Sequence, residues 1–140
     1  MNPNLYPPPP RAKAGGFYYL ARLLGKIRQH ARHELHADFH ANMGIGMDAR
    51  MCRFLQVDYA QLKEFVLTGK TDEEVVAWCQ IHGRKLVDED VVVWNGFVSK
   101  RGSNDEATPI LDKYKAEAGF SNRPEIATFF DLFEAEENQK

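Results

Sequence analysis

The stretch Phe17-Tyr18-Tyr19-Leu20-Ala21-Arg22-Leu23-Leu24-Gly25-Lys26-Ile27-Arg28-Gln29-His30-Ala31-Arg32-His33-Glu34-Leu35 decides the fold. At about 100° per residue, Phe17, Leu20, Ala21, Leu24, Ile27, Ala31 and Leu35 fall within an arc of about 120°, the pattern of a helix with one side on a core. Arg22, Lys26 and Gln29 fall opposite, so they are expected to face solvent. Arg28 falls inside the apolar arc. A guanidinium at a core edge is costly unless its planar donors meet carboxylates or carbonyls, which predicts an ion pair with an acid from a later helix. The functional alternative is that Arg28 lines a pocket and binds an anion.

Upstream, Pro7 to Pro10 exclude a helix interior, and residues 1–14 are expected to form a proline-rich arm lying over the domain or serving as a ligand for another module. Gly15 and Gly16 separate this arm from the helix. Downstream, Asp38 to Gly46 lack helical period and lead to Asp48, expected to cap a helix over 49–56. Asp58 can cap Tyr59 to Leu67, with Gly69 as terminator. Thr71 with Glu74 has the spacing of a capping box for the helix carrying Val75, Trp78, Cys79 and His82.

Residues 88–101 are ambiguous. VVVW followed by Asn95-Gly96 and FVS has the signature of a β-hairpin, yet Val91, Trp94, Asn95 and Val98 also align on one helical side. Helix is the reading adopted, at a cost of about 1 kcal/mol for the interior glycine. A further helix should begin between Ser103 and Thr108 and end at Gly119. A last one should start at Asn122 and carry Ile126, Phe129, Phe130 and Phe133. The resulting expectation is an all-α, compact single domain of about six short helices spanning 15–135, with an acidic, frayed tail over 136–140.

The 140 residues, 44% hydrophobic and 27% charged, fit one globular domain. No run approaches the ~18–20 apolar residues of a membrane span, and the N-terminus lacks the apolar centre of a secretory signal, so a cytoplasmic location is expected. Cys52 and Cys79 stand 27 positions apart without a CxxC partner and read as buried reduced thiols.

Charge is unevenly placed. The formal net charge is −2, but residues 1–33 hold Arg11, Lys13, Arg22, Lys26, Arg28 and Arg32 and no carboxylate. This segment is either a basic surface for an anion or the internal complement of acidic neighbours. Nucleic-acid binding fits poorly with a pI near 6.2.

His30, His33, His36 and His40 form the densest titratable cluster. On a continued helix His33, His36 and His40 would project within about 60° of one another, a spacing that can chelate zinc or nickel. The neighbouring arginines and lysine oppose a cation there. Cys79 and His82 sit one turn apart without an orienting third group, so an inert packed thiol is the plainer reading. No GxSxG, HExxH, P-loop or GxGxxG motif occurs, and no cofactor is implied. Trp78, Trp94, Tyr18 and Tyr19 can line a cleft between helices or pack as core.

The run Gly15 to Arg28, together with Asp48 to Asp58, Gly69 to Trp78 and Pro124 to Glu134, resembles the bacterial family called domain of unknown function 5069. The chain departs from that family's pattern at Ala21, where a proline is usual, and at Gly25, where an acidic residue is. The resemblance implies a compact all-helical domain and carries no activity or site residue. The function expected from the residues is therefore a binding module that offers Arg22, Lys26 and Arg28 to an anionic small molecule or acidic protein. An enzyme using the histidine cluster, with or without a metal, is the second expectation, and a structural oligomer subunit the third.

Overall fold

The computed structural model describes residues 5–138. It is mostly helical, with seven α-helices and a 3-10 turn at Ala37–Asn42 among those residues. The helices are α1 (Leu20–Ala31), α2 (Met47–Leu55), α3 (Tyr59–Val66), α4 (Asp72–His82), α5 (Asp88–Val98), α6 (Thr108–Glu117) and α7 (Phe129–Asn138). One small feature departs from all-α. Strands β1 (Lys13–Ala14) and β2 (Phe17–Tyr18) pair antiparallel around Gly15-Gly16, with Ala14 opposite Phe17. Both turn glycines have positive φ, 58° and 85°, which a side chain would resist. Phe17 therefore belongs to a strand, and the helix expected from it starts at Leu20.

Helix α1 is the centre of the molecule. Leu20, Leu23, Leu24 and Ile27 are buried, but so are Arg22 and Lys26 on the other side. The expectation that these two face solvent is corrected here. The amphipathic pattern presumes a helix with one covered side, whereas α1 is also covered by the chain before it and the helix at the far end. Pro7 and Pro10 are buried, and the segment is tied to α1 and its exit by Gln29 Nε2 donating to the Tyr6 carbonyl (2.9 Å) and the His36 N–H to Leu5 (2.9 Å). Gly25 makes the approach possible, because a Cβ at position 25 would collide with the Pro8 ring. Residues 1–4 of the expected arm, and 139–140 of the expected tail, lie outside the described residues.

Residues 88–98 are helical, which settles the ambiguity of that stretch. The residues that suggested a hairpin instead support one. The Tyr18 N–H donates to Asn95 Oδ1 (2.9 Å), Asn95 Nδ2 to the Gly16 carbonyl (2.9 Å), and Trp94 Nε1 to the Tyr18 carbonyl (2.9 Å). Two caps follow their sequence signals. Asp58 accepts the Gln61 N–H at 3.0 Å, and Thr71 and Glu74 exchange bonds at 3.2 and 3.0 Å.

The main core joins Leu23, Leu24 and Ile27 to Met51, Leu55, Leu62, Val75, Trp94 and Phe130. Fully burying each aliphatic side chain contributes about 1.5–3 kcal/mol. A second cluster, including Leu111, Phe120, Ile126, Phe129 and Leu132, lies under α6 and α7. The last helix does not start at Asn122. Residues 122–127 form a turn braced by Lys115, whose Nζ donates to the Arg123 and Ile126 carbonyls (3.0 and 2.8 Å). Thr128 then caps α7 by accepting the Asp131 N–H at 3.1 Å. That helix runs to Asn138 and so includes residues 136–138 of the acidic tail.

Candidate functional site

A buried polar triad sits at the start of α1. Tyr19 adopts a left-handed conformation (φ 74°), uncommon and strained for a bulky residue, and turns the chain from β2 into the helix. Its hydroxyl donates to Asp48 Oδ1 at 2.6 Å. Lys26 Nζ lies 2.7 Å from the same oxygen and 3.2 Å from the Tyr19 hydroxyl. Asp48 Oδ2 accepts the Gly44 N–H at 3.0 Å. Asp48 is thus not the expected N-cap: α2 already begins at Met47, and the carboxylate is turned inward.

Burial pushes the Lys26 ammonium below its ordinary pKa, with Asp48 opposing the shift. Burial and the neighbouring Asp48 charge push the Tyr19 phenol well above its ordinary range. The two shifts run in opposite senses, the lysine's toward its neutral form and the tyrosine's away from ionisation. Asp48 is the residue sequence reasoning missed. It stands 22 positions from Lys26 in the chain, and no local pattern separates an inward-turned aspartate from a cap.

One turn before Lys26, Arg22 meets the last helix. Its Nη1 and Nη2 donate to Glu137 Oε1 and Oε2 at 2.9 and 2.6 Å, and Nη1 also to the Pro8 carbonyl at 3.1 Å. The Phe39 and Phe133 rings lie 5.6 and 5.2 Å from the guanidinium. Burial works against this charge, but the hydrogen bonds and charge of Glu137 raise the pKa. Arg28 is elsewhere. Its Nη1 pairs with Asp72 at 2.6 Å and its Nη2 donates to the Lys70 carbonyl at 2.9 Å, as its place in the apolar arc requires. The three predicted residues therefore divide: Arg22 and Lys26 come together, and Arg28 does not join them. Arg22 and Lys26 pair with the chain's own carboxylates, which corrects the expectation that they face solvent, while Arg28 pairs with Asp72 of α4, the kind of partner expected for it.

Arg22, Lys26 and Tyr19 line a cleft of about 750 Å³, together with the carboxylates of Asp38, Glu117, Glu136 and Glu137. Apolar wall is supplied by Phe39, Ile45, Phe97, Ile110 and Phe133, and further positive charge by Arg50, Arg53 and Arg101. Arg101 is held by Glu106 at 2.6 Å. Arg50 and Arg53 are exposed and form no ion pair among the described residues. Arg50 rests over Phe97 at 5.6 Å. Both arginines also border an adjoining hollow of about 360 Å³ against Phe54, Val93 and Trp94.

The histidines do not share a helical side. Helix α1 ends at Ala31, and His33 turns the chain with φ 58°. His36 Nδ1 accepts the Asp38 N–H at 3.1 Å, while His40 Nε2 lies 3.0 Å from the Leu35 carbonyl and its ring meets that of His30 at 4.7 Å. No group of three His, Cys, Asp or Glu among the described residues is placed to hold a metal ion. Trp78 stacks on Phe65 and His82, and Cys52 and Cys79 are buried and free. No helix among the described residues is long and apolar enough to cross a membrane.

No curated protein matches the chain. The segments that carry the resemblance are those that build α1, place Asp48 in α2, start α4 and form α7. The match extends over residues 5–139, and the chain belongs to the family described as Domain of unknown function (DUF5069).

Proposed function

We propose that the protein is a binding module that takes an organic anion into the cleft beside α1. Arg50 and Arg53, the exposed arginines of its lining, draw the anion in, and the buried Arg22 holds the charged end. Arg28, paired on another side of the helix, has no part in it. The observation that carries this reading is the gathering of Arg22, Lys26, Arg50, Arg53 and Arg101 around a single cleft, where the exposed Arg50 and Arg53 have no carboxylate partner among the described residues; apolar side chains and the carboxylates of Asp38, Glu117, Glu136 and Glu137 make up much of the rest of the wall, in a chain whose net charge is negative. Such a site favours a molecule with an anionic end and a greasy body. An extended nucleic acid is disfavoured by the acidic balance of the whole chain. The reading carries a cytoplasmic location with it, supported by two buried thiols left unbridged.

The test is a thermal-shift screen of aryl and aliphatic carboxylates, sulfonates and phosphates beside their neutral amides and alcohols. A ligand at about 100 times its Kd stabilises the folded state by about 2.7 kcal/mol. Anions should raise the melting temperature and the neutral analogues should not. Arg50→Glu with Arg53→Glu should weaken the effect and its salt dependence. A screen in which no anion stabilises the wild-type protein removes the reading.

A further inference from the structure

We propose that Glu137 is the cleft's internal ligand, and that the external ligand is a carboxylate that takes its place on Arg22 and releases the last turn of α7. This rests on the reading of the cleft as an anion site and names the anion. Lys26 cannot be the exchanging group, because its partner Asp48 is 1% exposed and is bonded from three sides. Arg22 can. Its two terminal nitrogens face the two oxygens of one carboxylate in a fork-to-fork arrangement, at 2.9 and 2.6 Å. The backbone of Pro8 and the rings of Phe39 and Phe133 fix the guanidinium plane. A two-oxygen anion meets that fork directly, and the group already seated on it is a carboxylate, which sets the class proposed.

The partner on the other side is the more exposed of the two and sits at an unfavourable helix end. Glu137 lies in the last turn of α7, which has no basic residue, and Glu134, Glu136 and Glu137 crowd the end where the helix dipole is negative. The Glu137 side chain keeps 15% of its surface open, against 4% for Arg22. Exchange replaces one carboxylate by another on Arg22, so the ion pair itself is conserved. Glu137 regains water, and the body of the ligand covers apolar wall at Phe39, Phe133 and Ile110 that the glutamate leaves bare. That contact drives the exchange.

The experiment compares phenylacetate, phenyl phosphate and phenylacetamide on wild-type protein and on Glu137→Gln, by calorimetric titration. With the internal competitor removed, phenylacetate should bind the variant about tenfold tighter than the wild type, as expected when the competent state is no longer a minor one. Phenylacetamide should bind neither. In the wild type, phenylacetate should also speed amide hydrogen exchange over 134–138, a readout that holds even where the variant fails to fold. Equal affinity for the two proteins with unchanged exchange overturns the proposal while anion binding stands. A larger gain for phenyl phosphate than for phenylacetate overturns the carboxylate assignment. Absence of binding by every anion to both proteins sinks the cleft reading itself, and this proposal with it.

Discussion

Lys26 Nζ and Asp48 Oδ1 lie 2.7 Å apart with their side chains 6% and 1% exposed. Two charges withdrawn from water at this level lose hydration that their attraction only partly restores, so the pair adds little net stability while fixing how α2 seats against α1. Removing one partner is another matter, because the survivor is left buried and unpaired. Asp48→Asn should cost about 3–5 kcal/mol in urea unfolding. Replacing both, Lys26→Met with Asp48→Leu, should recover most of that loss. An Asp48→Asn protein within about 1 kcal/mol of wild type would show that water reaches the pair.

The contrast with Arg28 and Asp72 sharpens this. Their oxygen and nitrogen are as close, 2.6 Å, but the side chains are 26% and 35% exposed. Solvent screens such a pair, and Asp72→Asn should cost about 1 kcal/mol or less, falling further as salt is added. Double-mutant cycles at 50 mM and 1 M salt measure it; a salt-independent coupling above about 2 kcal/mol would contradict the assignment of solvent screening.

Much of the architecture was legible in the chain because its signals are local. The apolar period of α1, the Asp58 cap and the Thr71–Glu74 box act over a few residues and need no tertiary partner. The start of α7 was misread: the Asn122-Pro124 signal pointed upstream, whereas Lys115 holds that segment as a turn and Thr128 caps the helix. The site was not legible for a physical reason. Whether Arg22 and Lys26 face water depends on Pro8, Asp48 and Glu137, which arrive from three distant parts of the chain. Asn95 misled in the same way: its amide serves a strand, but one belonging to residues 16–18.

Alkaline pH should loosen the fold. Burial pushes the Cys52 thiol from 9.0 to about 12 and Cys79 to about 11, and burial with the Asp48 charge raises Tyr59 to about 12. Each is an acid whose folded pKa lies above its unfolded one. Its stabilising contribution is complete below the unfolded value of 9.0 for a thiol or 10.0 for a phenol, and is lost as pH climbs toward the folded value. Lys26, lowered from 10.5, acts in the opposite sense and favours the folded state as pH rises below that value. With Cys52, Cys79 and Tyr59 acting against Lys26 alone, and Tyr19 adding to the three, the denaturation midpoint should fall above pH 9. Cys52→Ala with Cys79→Ala, compared with its own midpoint at pH 7, should fall less. Identical pH profiles for the two proteins would refute the role of the thiols.

Asn95 gives the most discriminating test of how the hairpin is held. Its side chain both accepts from the Tyr18 N–H and donates to the Gly16 carbonyl, each at 2.9 Å, so one residue of α5 replaces a missing third strand. Two-residue strands make too few bonds of their own to persist, and Tyr19, next in the chain, must be kept at its unfavourable φ of 74°. Asn95→Ala leaves both backbone groups without that partner and should cost about 1–3 kcal/mol. Asn95→Asp keeps the acceptor for Tyr18 but faces the Gly16 carbonyl with a second acceptor, so it should recover only part of the loss. The ordering wild type, Asp, Ala in urea midpoints, together with faster hydrogen exchange at the Tyr18 amide in the alanine variant, is the expected outcome. Should Asn95→Ala match the wild type in both, Trp94 Nε1 on the Tyr18 carbonyl would be sufficient to hold the strand, and the conformation of Tyr19 would be set from the Asp48 side alone.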